Sequence, residues 1–220
     1  MLRKMKTMAA AAAIAGVVAL AGAGNASALN VGTIGSPVGS GTMPSSASAG
    51  ASRVVLNGTV PVNCTTTTTT SIIGTGVYGV PATIGNTQFQ FTTCTGPSGF
   101  VFSLVCSNVT SYEFASNPVG GVAIGRYSNI NCRLTFAPIG CTATLSGTVP
   151  VTYANPTTVA PGVATFQAAG QSLAISASTC PTGIVPNGPA VWGSPVGTGL
   201  GVGNLPFTLA GAPTSQPFLS

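Results

Sequence analysis

The sequence has no histidine, one Asp or Glu and six Lys or Arg among 220 residues. Without histidine there is no Ser-His-Asp triad and no imidazole ligand for zinc. With Glu113 as the single carboxylate, the usual two-carboxylate glycoside hydrolysis is excluded. Three of the basic residues, Arg3, Lys4 and Lys6, precede an almost pure Ala, Gly and Val run from Met8 to Ala23, followed by Ala26-Ser27-Ala28. That layout predicts a cleaved export signal peptide over 1–28. Its removal would leave Arg53, Arg126 and Arg133 against Glu113, a net charge of +2. No basic patch for nucleic acid remains, and no lysine. After the leader there is no run of about 18–20 apolar residues, so no transmembrane helix is expected. Leu205-Pro206-Phe207-Thr208 resembles a sortase signal only superficially, because Leu209 replaces the needed glycine.

What remains is enough for a core. Leu, Ile, Val and Phe make up about a quarter of the chain, above the roughly 20% below which disorder is expected. All six cysteines (Cys64, Cys94, Cys106, Cys132, Cys141, Cys180) follow the leader, and an even count in an exported chain reads as three disulfides. No C-x-x-C spacing supports a metal site. Spacing alone does not choose among the pairings; our expectation is sequential, 64–94, 106–132 and 141–180.

Residues 29–52 are Gly, Ser, Ala and Pro with isolated apolar residues, which predicts a flexible arm. From Arg53 the period becomes two. Asn129 to Phe136 places Ile130, Cys132, Leu134 and Phe136 on one face; Thr142 to Tyr153 does the same with Ala143, Leu145, Val149, Val151 and Tyr153. Phe89 and Phe91 alternate with Gln88, Gln90 and Thr92. Further strands are predicted at 53–62, 72–80, 100–109, 121–126, 163–168, 171–179, 189–194 and 205–210, separated by Gly, Pro and Asn turns. No amphipathic helical period follows residue 28. The expected fold is all-β: one disulfide-stapled antiparallel β-sandwich over 53–220, or a barrel-like sandwich, with 186–220 the part least defined by pattern. Gly58-Thr59-Val60-Pro61-Val62 recurs as Gly147-Thr148-Val149-Pro150-Val151, without a fixed repeat period.

Phe91-Thr92-Thr93-Cys94-Thr95-Gly96-Pro97, then Gly140-Cys141-Thr142-Ala143-Thr144-Leu145-Ser146-Gly147-Thr148-Val149 with the distal Cys180, resembles a group of small secreted, disulfide-bonded β proteins of actinobacteria. The resemblance spans roughly 53–185. It implies secretion, a β fold and shared 64–94 and 141–180 bridges; it implies no activity.

Candidate chemistry is sparse. A serine or threonine nucleophile needs a base within reach, and Glu113 is the only side chain that offers one; pairing with Arg126 or Arg133 is the simpler expectation. Thr65–Thr70 reads as an exposed strand with hydroxyls on both faces, or as an O-glycosylation tract, or as a hydroxyl ladder for a repeating surface. Trp192 with Tyr78, Tyr112, Tyr127 and Tyr153 is either a sugar-stacking platform or core. The expected function is a secreted or cell-surface, non-enzymatic structural or interaction protein that self-associates through strand edges near 65–70. Its partner would be itself or a cell-envelope component. The alternative is an extracellular binding module for a glycan or small apolar ligand, using the sandwich face or a cleft near Trp192. No catalytic residue, cofactor or metal is expected. A β-barrel pore would need aromatic girdles, whereas the aromatics cluster at 89–114.

Overall fold

The structure, a computed structural model, describes residues 28–34, 40–106 and 110–220. Apart from Ala28, the expected leader lies outside these residues. The described chain is all β, fifteen strands in one antiparallel network, with three short 3-10 turns. In chain order the strands are β1 (Ala28–Gly32), β2 (Gly41–Ala49), β3 (Ser52–Leu56), β4 (Val60–Gly79) and β5 (Ala82–Thr95). Then come β6 (Val101–Cys106), β7 (Thr110–Phe114), β8 (Val122–Phe136), β9 (Cys141–Ala154) and β10 (Val163–Phe166). The last are β11 (Ser172–Ser176), β12 (Gly188–Val196), β13 (Gly201–Gly203), β14 (Leu205–Leu209) and β15 (Phe218–Leu219).

Four long strands organise the fold. β4 pairs with β5, and β8 with β9. At one end β2, β14 and β10 connect β4 to β9, while β7 connects β5 to β8. At the other end β3, β12 and β11 connect β4 to β9, and β6 connects β5 to β8. Two closed hydrogen-bonded rings of strands therefore share the same four long members. This is the barrel-like form of a sandwich, and closure leaves few unpaired edges.

Alternation explains what fills the rings. Trp192, Phe89, Phe166, Phe207 and Phe114 are fully buried. Phe89 on β5 meets Tyr127 of β8, Phe166 of β10 and Trp192 of β12 edge-on, with centroids 5.5, 5.6 and 5.1 Å apart, the geometry that ring quadrupoles favour. The inward faces expected for 129–136 and 142–153 are the buried ones. Disulfides join Cys64–Cys94 across β4 and β5, Cys106–Cys132 across β6 and β8, and Cys141–Cys180 from β9 to the loop after β11.

Four expectations change. The flexible arm over 29–52 supplies β1 and β2 instead, because small residues suffice there: Ala47 and Ala49 are buried, and Leu29 and Val31 fully so. The strand expected at 53–62 is a hairpin, turned by Asn57 and Gly58 with φ of 46° and 66°. Asn-Gly favours this positive-φ turn because glycine has no Cβ and asparagine tolerates the left-handed region. The strands expected at 121–126 and 129–136 are one strand, bulged between Tyr127 and Ile130, where Asn129 takes φ 59°.

The last change concerns Thr65–Thr70. The run is not an exposed edge: β4 is flanked there by β2 and β5. Val60, Val62 and Cys64 face inward, and then the parity shifts so that Thr67 and Thr69 are buried. The shift falls opposite Thr93, whose φ is 43°. Ser52 and Thr67 share a 2.7 Å hydroxyl hydrogen bond, which satisfies both buried groups. Self-association by edge pairing along this run therefore loses its basis, since both main-chain sides of Thr67–Thr70 are taken.

Candidate functional site

Glu113 stands on β7 opposite Arg126 of β8. Arg126 Nε donates to Glu113 Oε2 at 2.6 Å, and Ser128 Oγ donates to Oε1. Partial burial opposes ionisation, but the Ser128 hydrogen bond and the Arg126 hydrogen bond and charge outweigh it and hold the carboxyl below its usual range. A lowered folded value contributes stability above the unfolded pKa that is lost as pH falls through the folded one. Arg126 is largely exposed, so the pair is worth about 0–1 kcal/mol. Glu113→Gln is expected to lower stability by no more than that in denaturant titration; a loss several times larger would refute the surface-pair assignment.

Arg53, which carried no role in the sequence reading, is only 7% exposed. Its Nε donates to Asn63 Oδ1 at 2.6 Å, and Nη1 donates to the Gly199 and Gly201 carbonyls at 2.5 and 3.1 Å. It pins the β12–β13 turn to β3.

The aromatic platform does not exist at the surface. Trp192 is 0% exposed, at the centre of the core rather than beside a cleft. Gln171 brackets its main chain, accepting from Trp192 N at 2.8 Å and donating to its carbonyl at 2.5 Å. Tyr112, Tyr127 and Tyr153 are buried too, and Tyr78 is half-buried. Burial pushes the Tyr127 phenol up to about 12 and the Tyr112 and Tyr153 phenols above their ordinary value. Raised phenol values leave stability intact below about pH 10 and remove it as pH rises through the folded values. Titration followed by tyrosinate absorbance is expected to show these three phenols ionising only with unfolding, above about pH 10. Smooth, independent ionisation near pH 10 with the fold intact would contradict their burial.

A cavity lies elsewhere. A cleft of about 740 Å³ crosses β2, β4 and β5 and is bounded by residues 210–217. Ser46, Thr70 and Gln88 form one cross-strand row along it; Pro44, Ile72 and Asn86 form another. Between them Ser71 Oγ and Thr87 Oγ1 share a 2.8 Å hydrogen bond. Gln216, 2% exposed, organises the rim: Nε2 donates to the Leu209, Ala210 and Gly211 carbonyls, and Oε1 accepts from Gly162 N at 2.7 Å. No lining residue is charged. The lining mixes hydroxyls and amides with Pro44, Ile72, Ala210 and Pro217, a surface able to exchange hydrogen bonds with a neutral polar molecule while packing its apolar faces.

No family model, curated protein or solved structure matches the chain. Of the residues weighed from sequence, Glu113 pairs with Arg126, while Trp192 and three tyrosines are core. The six cysteines are all in disulfides. Only Thr70, with Gln88 recognised as an outward position, reaches the cleft. Asn86, Ser71, Thr87 and Gln216 were missed because the cleft is assembled from segments far apart in the chain.

Proposed function

We propose that the protein acts outside the cytoplasm as a non-enzymatic binding module whose cleft holds an uncharged, hydroxyl-bearing ligand of the glycan class. The observation that carries this reading is the uncharged cleft of about 740 Å³, lined by hydroxyl and amide side chains. Three disulfides and the leader pattern support an oxidising location, and the resemblance to secreted actinobacterial proteins points the same way. Binding of a glycan panel by the processed, oxidised protein is the test. Asn86→Ala with Gln88→Ala is expected to weaken a hit about thirtyfold, from about 1 kcal/mol for each of the two hydrogen-bonding groups. Unchanged affinity in that variant, or displacement of a bound apolar dye in place of glycan binding, would overturn it.

Self-association is the second reading, favoured by the exposed Val119, Val122 and Ile124 at one end of β8, at 83%, 41% and 59%. With so little charge, association through this patch would be nearly insensitive to salt. Light scattering across protein and salt concentration tests it, and a monomer throughout removes it.

A further inference from the structure

The cleft continues into an ordered surface. Because β2, β4 and β5 are in register, alternate side chains line up across the three strands. Thr68 stands between Ser48 and Gln90, in a row that reaches Thr208 on β14, and Thr66 stands opposite Thr92. These rows follow directly on the Thr70 and Ile72 rows of the cleft. Strand geometry sets them about 6.6–6.8 Å apart along the chain, with neighbours about 4.8 Å apart across it. Every member is exposed or half-exposed, and none is charged.

Two facts distinguish this face from an ordinary polar surface. First, among the described residues no hydrogen bond within the protein engages the Ser48, Thr68, Thr70, Gln88 or Gln90 side chains; Thr92 alone is engaged, donating to the Thr66 carbonyl at 3.2 Å. A set of aligned amides and hydroxyls thus keeps both donors and acceptors available. Second, an acidic polymer would want cations here and a basic one would want carboxylates, and the rows contain neither. Arg133 is reached only beyond Gln90 and Val105.

We infer that the ligand is a chain rather than a single unit: a neutral polysaccharide with one sugar in the cleft and the following sugars laid along the Thr68 and Thr66 rows. This rests on the reading of the cleft as a glycan site. Each exposed contact is weak, so affinity accumulates with the number of rows covered.

The experiment is a calorimetric or NMR titration of the oxidised protein with linear neutral oligosaccharides of one to six units, from the cello-, malto- and manno-series. At least a tenfold rise in affinity from one unit to six is expected in one series. Thr68→Val with Gln90→Leu, both outside the cleft and both strand-compatible, is expected to weaken the longest oligomer about fivefold or more and leave the single sugar unchanged. Near-ultraviolet circular dichroism checks that this variant keeps its core. Affinity independent of length overturns the chain inference and leaves the cleft reading standing; no binding of any length in any series overturns both. If the variant instead abolishes a concentration-dependent dimer, the rows are an interface between copies and the inference falls.

Discussion

Full reduction of the three disulfides is expected to unfold the protein near room temperature. The bridges close segments with sequence separations of 30, 26 and 39 residues. In the chain-entropy model each is worth about 3–4 kcal/mol. Together they match the net stability of about 5–15 kcal/mol typical of a domain. The order of loss is also readable. Cys64, Cys94, Cys106, Cys132 and Cys141 are buried, whereas Cys180 is half-buried in a loop. Thiol attack requires access, so limited reduction with alkylation and mass spectrometry is expected to trap opening at Cys141–Cys180 first. A protein that keeps its near-ultraviolet spectrum after all six thiols are alkylated would contradict the stabilising role. Labelling of 64 and 94 before 180 would contradict the order.

Phe89→Ala is expected to cost about 3–5 kcal/mol, the range for removing a buried aromatic ring. Phe89 is 2% exposed, and its ring meets those of Tyr127, Phe166, Trp192 and Phe207. Those rings belong to four different strands, so no single neighbour can swing in to fill the space. A chain of this size loses about 2–4 °C of Tm per kcal/mol, and a fall of about 10 °C in calorimetry is the expected reading. Phe100 supplies the control. It is 42% exposed and, among the described residues, its ring pairs with that of Phe136 alone, so Phe100→Ala is expected to cost about 1 kcal/mol or less. Equal losses in the two variants would mean that the core relaxes around Phe89.

The fold class was legible because large side chains alternate cleanly. Ile130, Cys132, Leu134 and Phe136 announce their face, and so do the apolar positions of 142–153. Alternation weakens where burial needs only small residues, and β2 buries Ala47 and Ala49 in a stretch that reads as linker. Asn57-Gly58 is a hairpin signal that lies inside the expected 53–62 strand. Parity shifts at Thr65–Thr66 and Asn129 depend on partner strands, which local pattern does not reveal. Trp192 is ambiguous between platform and core in sequence: flanked by Val191 and Gly193, its neighbourhood does not signal that Phe89, Phe91 and Phe166 gather around it. The cleft was the least legible feature, since 44–46, 70–72, 86–88 and 210–217 meet only once the β2–β4–β5 sheet has formed and residues 210–217 close over it.

The pairing of β1 with β15 sets a schedule for the chain. Val31 lies opposite Leu219, and Asn30 and Ser220 exchange main-chain hydrogen bonds in both directions. β1 thus waits for residues 218–220, and the ring containing β2 also needs β14, more than 150 residues further along the chain. A polypeptide emerging N-terminus first can form the β3–β4 and β4–β5 hairpins early, but closure must follow the appearance of residues 205–220. Contacts this distant in sequence slow folding toward the millisecond-to-second range of all-β domains. Until then the edges that closure later removes stand open.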